Sequence, residues 1–380
     1  MNTESRGARL LEQLGVTPII NAGGPNTQHS GSRPRQEALD AMLAMAEVFV
    51  RIEELMISAG RELAQMVGAE AATITSGASG GLVVQAAAAM AKDDAGAISR
   101  LPDTSGMPNE LIIQRSHRFI YDHLYLVPGA RFVEVGDASG CTPEELEAAI
   151  TRQTAGVIHL ESPFKNRGNV PLPHLSDIAH RHGLPVLCDA ASMLPPRANL
   201  TKFLDEGADL VSFSGGKGIR GPQSTGILLG TDEWVEYARL NNAPYPNIAR
   251  GQKVSKEEIA GLLAAVKAFV SEDEQAETIR YRRQMQMVVD QVAEVPGIQA
   301  DVQHNYDHYI PHAVIQFTTA WRGPSSREIM SRLMEGSPRI YVSGYGPEEA
   351  VWVDPLNIQE GELKIVAERL RQTLVDASSE

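Results

Sequence analysis

The sequence predicts an α/β protein: a large domain with a mainly parallel, seven-stranded sheet, then a smaller C-terminal α/β domain. Three observations carry this. From residue 70 to 230, short β-branched runs recur between longer helical patterns. The runs end in glycine, proline or aspartate, as strands of a parallel sheet do before their connections. Beyond residue 250 the pattern changes to two long helical segments followed by further strands.

Strands are expected at 71–75 (AATIT), 110–114 (ELIIQ), 131–135 (RFVEV), 156–160 (GVIHL), 185–188 (PVLC), 209–213 (DLVSF) and 226–229 (GILL). The run TPEELEAAIT reads as a helix: Thr142 suits the cap, Pro143 the first position and the acidic residues the first turn. Residues 92–109 lack periodicity and read as a long connection. Later helices are expected at about 255–270, 273–292 and 360–375, with strands near 311–317 and 338–343. A chain of 380 residues suits one large and one smaller domain. The expected division is an N-terminal arm over 1–20, a large domain over 21–250 and a small domain over 251–380.

Composition narrows the function classes. Hydrophobic residues make up 43% and charged residues 22%, an ordinary globular balance. The formal net charge of -14 repels nucleic-acid phosphates and anionic membrane surfaces, so neither partner is expected. Cys141 and Cys188 form no CxxC pair, so no disulfide framework or zinc ribbon follows, and a reducing cytoplasm fits. The N-terminus lacks a basic region followed by an apolar one, and no export or membrane-spanning segment is expected.

In an open α/β sheet the ligand lies at the carboxyl ends of the strands. Three such ends are informative. After AATIT comes SGASGG and a helical run, where small residues let backbone N–H groups approach an anion and Ser76 and Ser79 add hydroxyls. A tight packing turn is the plain alternative. After PVLC comes Asp189, a carboxylate that burial would penalise unless a cation such as a protonated pyridine nitrogen pairs with it. A helix cap or a metal carboxylate is the alternative; His180 and His182 belong to the preceding helix and face water, so no metal is expected. After DLVSF comes SFSGGKGIRGPQSTG, in which Gly215, Gly216 and Gly218 strip bulk from around Lys217. The GxGxxG spacing of Gly216, Gly218 and Gly221 fails as a dinucleotide motif, because Pro222 and a strand follow instead of a helix. A glycine-rich surface hairpin with an ordinary lysine remains the plain reading. Together the three ends offer an anion cup, a carboxylate and an isolated lysine, the partners a phosphorylated pyridine aldehyde needs.

The segments SFSGGKGIRGPQSTG and DAAS resemble the fold-type-I pyridoxal-phosphate enzymes of the selenocysteine synthase-like group. Within it the likeness is strongest to ammonia-lyases of amino-sugar acids such as D-glucosaminate 6-phosphate. It extends to INAGGPNTQHSGSRP, GAEAATITSGASGG, LPDTSGMPNELIIQRSHR, SPRIYV and VDPLNIQEGE, and so spans nearly the whole chain. The resemblance implies a transferase-like fold of type I with pyridoxal 5'-phosphate as cofactor. It implies Lys217 as the Schiff-base lysine, Asp189 as partner of the pyridine nitrogen and His117 as the ring stacked on the cofactor. Ser76, Gly77, Ala78 and Ser79 would hold the phosphate, with Ser214 adding a hydroxyl. Thr225, in the segment after Lys217, would reach the phosphate of a neighbouring subunit in a homodimer or higher homo-oligomer. Arg33, Arg220 and Arg339 suit a substrate carboxylate or phosphate, since the guanidinium fork matches both. The early TQHSGS departs from the more apolar, glycine-rich version expected of such a lyase, and that departure leaves the substrate open.

The implied reaction eliminates water from a hydroxylated amino acid or amino-sugar acid, and hydrolysis of the resulting enamine releases ammonia and gives a 2-keto acid. A selenium transferase acting on a charged tRNA fits less well, given the acidic charge and the short run before the first motif. Aminotransferase and racemase chemistry share the cofactor. A noncatalytic cofactor-binding regulator is the alternative from a different class.

Overall fold

The computed structural model describes residues 6–162, 168–305, 308–344 and 350–378. In chain order the strands are β1 (Ile19–Asn21), β2 (Ala71–Ser76), β3 (Glu110–Gln114), β4 (Arg131–Val135), β5 (Thr154–Leu160) and β6 (Val186–Asp189). They continue as β7 (Leu210–Ser214), β8 (Thr225–Gly230), β9 (Ile298–Gln303), β10 (His312–Phe317), β11 (Arg339–Tyr341) and β12 (Ala350–Val353). Pro34–Glu272 forms a large unit; the segments up to Arg33 and from Asp273 form a small one.

In the large unit β2 to β8 make one sheet in the order β2-β8-β7-β6-β5-β3-β4. The pairings among β3, β4, β5, β6 and β7 are all parallel, and β8 alone runs against its neighbours β2 and β7. Six strands therefore end on one edge, where β8 begins. Each lies within a residue or two of its expected position, because burial on both faces favours the continuous apolar runs the sequence displays.

Helix Gly77–Ala91 covers one face and is buried from Gly80 to Ala91 without a break. Apolar and small residues all round this helix suit that setting. Leu82, Val84, Ile113, Leu187 and Trp234 pack on this side. On the other face Leu63, Ile112, Phe203, Phe213 and Leu262 form the second core. A fully buried side chain of this size stabilises the fold by roughly 1.5–3 kcal/mol.

Four expectations change. Residues 6–14 form a helix rather than a loose arm, and β1 after it pairs in parallel with β11 inside the small unit. The large unit runs to Glu272 instead of 250, because helix Lys256–Ser271 packs on helices Gln36–Ala46 and Ile52–Val67. The long connection contains helix Ala95–Arg100, capped by Asp94 receiving the N–H groups of Gly96 and Ala97. In the small unit β10 is flanked by β9 and β12, neither expected, in an antiparallel sheet. That sheet packs with Met285, Leu333 and Leu370 of three helices. Among the described residues no helix is long and apolar enough to cross a membrane.

Candidate active site

At the carboxyl edge the Lys217 amine lies 2.6 Å from the Ser192 hydroxyl, three residues beyond Asp189. Asp189, at the end of β6, is 7% exposed and accepts the Ala191 N–H at 3.0 Å on Oδ1. Burial pushes its carboxyl above the usual range, while the Ala191 N–H and the Lys217 charge pull it back. Burial likewise lowers the Lys217 amine, and Asp189 opposes that shift. Desolvation thus disfavours the charged form of each group, and each one's charge partly offsets that of the other.

The loop carrying Lys217 is held by packing. A Cβ on Gly218 would fall 2.1 Å from the Leu194 carbonyl, and one on Gly215 would fall 2.3 Å from the Thr225 hydroxyl. These glycines admit neighbouring chain segments around the lysine loop. Thr225 is fully buried and donates its hydroxyl to the Pro222 carbonyl at 2.6 Å. It closes the loop within its own chain instead of extending outward, while Gln223 and Ser224 are exposed.

The anion cup forms where β2 meets helix Gly77–Ala91. Ser76 occupies the cap position without a capping hydrogen bond, and Gly77 is left-handed at φ +66. The first N–H groups of the helix, those of Gly77, Ala78 and Ser79, precede its internal hydrogen bonding and are available to an anion. Thr225 pairs with Ser76 and Gly226 with Ser214, so Ser214 and the cup share this edge.

His117 follows β3 and is 1% exposed. Its Nδ1 accepts the Leu160 N–H at 3.2 Å, its Nε2 faces the Asn169 amide at 2.8 Å, and the His159 ring stands edge-on at 4.7 Å. Behind it His159 Nε2 lies 3.1 Å from Glu161 Oε2.

The arginines divide between the units. Arg220 belongs to the Lys217 loop at φ +60, and its carbonyl accepts the Arg35 N–H at 2.9 Å. Arg33 and Arg339 belong to the small unit, where Arg33 Nη1 donates to Gln359 Oε1 at 2.5 Å and Arg339 opens β11. Arg35, which the sequence reading passed over, donates Nε to the Ile219 carbonyl at 2.9 Å and grips Glu272 through two bonds of 3.0 and 2.9 Å. Ser192, Asn169 and Glu161 were also missed. Only Ser192 carried a signal, its place in DAAS. His180 and His182 bond Asp209 and Glu147 and are partly exposed; no three metal-ligating side chains converge among the described residues. A separate cleft of 480 Å³ at the start of β2, lined by Met56, Arg61, Glu70, Val235 and Arg239 among others, contains none of these residues.

The side chains fit pyridoxal phosphate. Among the described residues Asp189 Oδ2 takes no hydrogen bond, the helix start is uncapped by a side chain, and the partly buried Lys217 amine lies on the same edge. Fold and edge together define a pyridoxal-phosphate enzyme of fold type I. The chain belongs to the SelA family, whose model, described as L-seryl-tRNA selenium transferase, matches residues 54–308. It is 30% identical over 370 residues to the D-glucosaminate-6-phosphate ammonia lyase of Salmonella typhimurium (strain 14028s / SGSC 2262), covering 96% of this chain and 97% of that protein. It is also 30% identical over 377 residues to the 5'-C-glycyluridine monooxygenase-decarboxylase of a Streptomyces species, covering 96% and 92%. A solved structure of D-glucosaminate-6-phosphate ammonia-lyase superposes with a TM-score of 0.83 at 28% identity, covering 97% and 99%.

Proposed function

We propose that this chain is a pyridoxal-phosphate-dependent ammonia-lyase acting on a hydroxylated amino acid or amino-sugar acid, with D-glucosaminate 6-phosphate as the leading candidate. The observation that carries it is the end-to-end likeness to the ammonia-lyase structure, joined to a lysine and a buried aspartate on one edge of the sheet.

When bound, pyridoxal phosphate supplies an electron sink for negative charge developing at the substrate α-carbon. Asp189 would keep a positive charge on the pyridine nitrogen by offering Oδ2. The N–H groups of Gly77, Ala78 and Ser79, with the Ser76 and Ser214 hydroxyls, would hold the phosphate, and His117 would cover the ring. Lys217 Nζ takes the α-proton, and Ser192 Oγ holds that amine in place. The β-hydroxyl leaves with a proton as water; hydrolysis of the resulting enamine takes up one water and releases ammonia and a 2-keto acid. Arg33, Arg220 and Arg339 are the side chains suited to the substrate's carboxylate or phosphate.

The equal identity to the Streptomyces enzyme favours a second reading, oxygen-dependent decarboxylation of an amino acid joined to a nucleoside. A homo-oligomer is supported by the exposed Leu43, Val48 and Phe49, the last fully exposed, since apolar patches of this kind mark interfaces. The two buried or half-buried free cysteines suit a cytoplasmic setting.

The test incubates purified holoenzyme with D-glucosaminate 6-phosphate and a panel of hydroxylated amino acids, following ammonia, 2-keto acid, oxygen uptake and carbon dioxide. Ammonia and keto acid in equal amounts without oxygen uptake are expected, and borohydride should fix the cofactor to Lys217. Carbon dioxide release with oxygen uptake would favour the second reading, and a label on another lysine would remove Lys217 from the site.

A further inference from the structure

Behind His117 lies a hydrogen-bonded frame that the reaction above leaves unused. Gln114, the last residue of β3, is fully buried and exchanges two bonds with Val170: its Oε1 accepts the Val170 N–H at 2.7 Å and its Nε2 donates to the Val170 carbonyl at 3.3 Å. The side chain imitates a strand partner and pins this segment beside the end of β3. Asn169 is thereby carried against the turn after β3, where its Oδ1 accepts the Ser116 hydroxyl and its Nδ2 lies 2.8 Å from His117 Nε2, an arrangement that an end-for-end turn of the amide reverses.

The other side of the ring decides the chemistry. A backbone N–H can only donate, so the Leu160 N–H at 3.2 Å requires a lone pair on His117 Nδ1. The neutral ring then carries its proton on Nε2, and that N–H needs an acceptor. Asn169 supplies one when its carbonyl oxygen faces the ring and its NH2 faces the Ser116 oxygen. The two ends of an amide are assigned by such partners. Two fixed bonds, one at each ring nitrogen, then set both tautomer and plane.

We propose that Asn169 is a positioning residue that holds His117 as the Nε2–H tautomer and fixes the ring face offered to the cofactor. The proposal rests on His117 being the cofactor-facing ring. Among the described residues, the ionisable His159 stands edge-on to this ring and Glu161 is bonded to His159.

Asn169→Asp discriminates, because a carboxylate only accepts: it preserves the contact if His117 donates and destroys it if His117 accepts. Asn169→Ala removes the contact in either case. In holoenzyme carrying 15N-histidine, ring-nitrogen shifts report the tautomer, and the visible circular dichroism and release rate of the cofactor report its setting. Wild type and Asn169→Asp are expected to share the Nε2–H signature. Asn169→Ala should give a mixed tautomer, a weaker dichroic band and about fivefold looser cofactor binding, the size of one ordinary hydrogen bond. An unchanged tautomer and affinity in Asn169→Ala, or equal damage from Asn169→Asp, overturns the proposal. If Asn169→Ala does not fold, Ser116→Ala reads the same frame from its other end: a smaller shift in the same direction is expected, and no shift overturns the proposal. A wild type without any cofactor band would sink the function proposed above, while the ring-nitrogen shifts would still decide the role of Asn169.

Discussion

Asp189 in the large unit and Asp354 in the small unit are both buried, at 7% and 3% exposure, and both directly follow or end a strand. Their surroundings differ. Asp354 is satisfied at both oxygens, with Oδ1 accepting the Leu356 N–H at 2.7 Å and Oδ2 lying 3.2 Å from His312 Nε2. Asp189 accepts one N–H and leans on a lysine that is itself pushed toward neutrality. Burial of a carboxylate therefore does not mark a site. What marks it is a carboxylate oxygen left without a hydrogen bond at the edge where strands end, the place a ligand occupies in an open α/β sheet.

The sharpest way to break this contrast is to neutralise each acid in turn. Asp189→Asn should keep its cofactor but lose roughly 10- to 100-fold in kcat, the worth of one charge-assisted hydrogen bond, while the apoprotein becomes slightly more stable because a penalised buried charge is gone. Asp354→Asn should do the reverse, losing about 1–3 kcal/mol of stability and retaining the visible cofactor band. Turnover assays and urea melts read both, and near-normal turnover in Asp189→Asn would collapse the distinction.

A second test concerns the support under the lysine. Arg35→Ala removes the bonds to Ile219 and Glu272, and about 1–2 kcal/mol of stability together with faster cofactor loss are expected. Thermal melts and dialysis measure the two effects; an unaltered cofactor release rate would show that the glycine packing alone holds the loop.

The smallest effect belongs to the small unit. Burial lowers His308 from 6.5 to about 4, reinforced by the neighbouring His312 and opposed by Asp354. The folded state therefore binds the proton less readily than the unfolded chain, so this stability is present above the unfolded pKa and falls as pH drops from about 6.5 toward 4. Stability should fall modestly over that range, and His308→Gln should flatten the slope in melts across it. An unaltered slope would place the titration elsewhere.

How much could be read beforehand follows from distance along the chain. AATIT, ELIIQ and DLVSF declare themselves as strands because their apolar side chains are consecutive, and Thr142 declares a helix start because its capping box with Glu145 lies within four residues. β11 falls within the strand expected at 338–343, but β1 has only three residues and is a strand because it pairs with β11 across some 320 positions, a contact no local pattern announces. Helix Ala95–Arg100 was hidden because six residues are too few to display a period, although Asp94 advertised its cap. Lys217 and Asp189 were legible as isolated charged residues at strand ends, as was the glycine-rich start of the helix at Gly77.

By itself, then, the sequence determined the large sheet and which residue types stand at its carboxyl edge, since both depend on burial patterns and turn chemistry of neighbours in sequence. Tertiary structure alone decided that Ser192 meets Lys217, that Arg35 holds the lysine loop, that Thr225 turns inward and that Asn169 faces His117. These contacts join segments brought together only when the sheet order is set, and a hydrogen bond a few ångströms long leaves no trace in the spacing of residues along a chain.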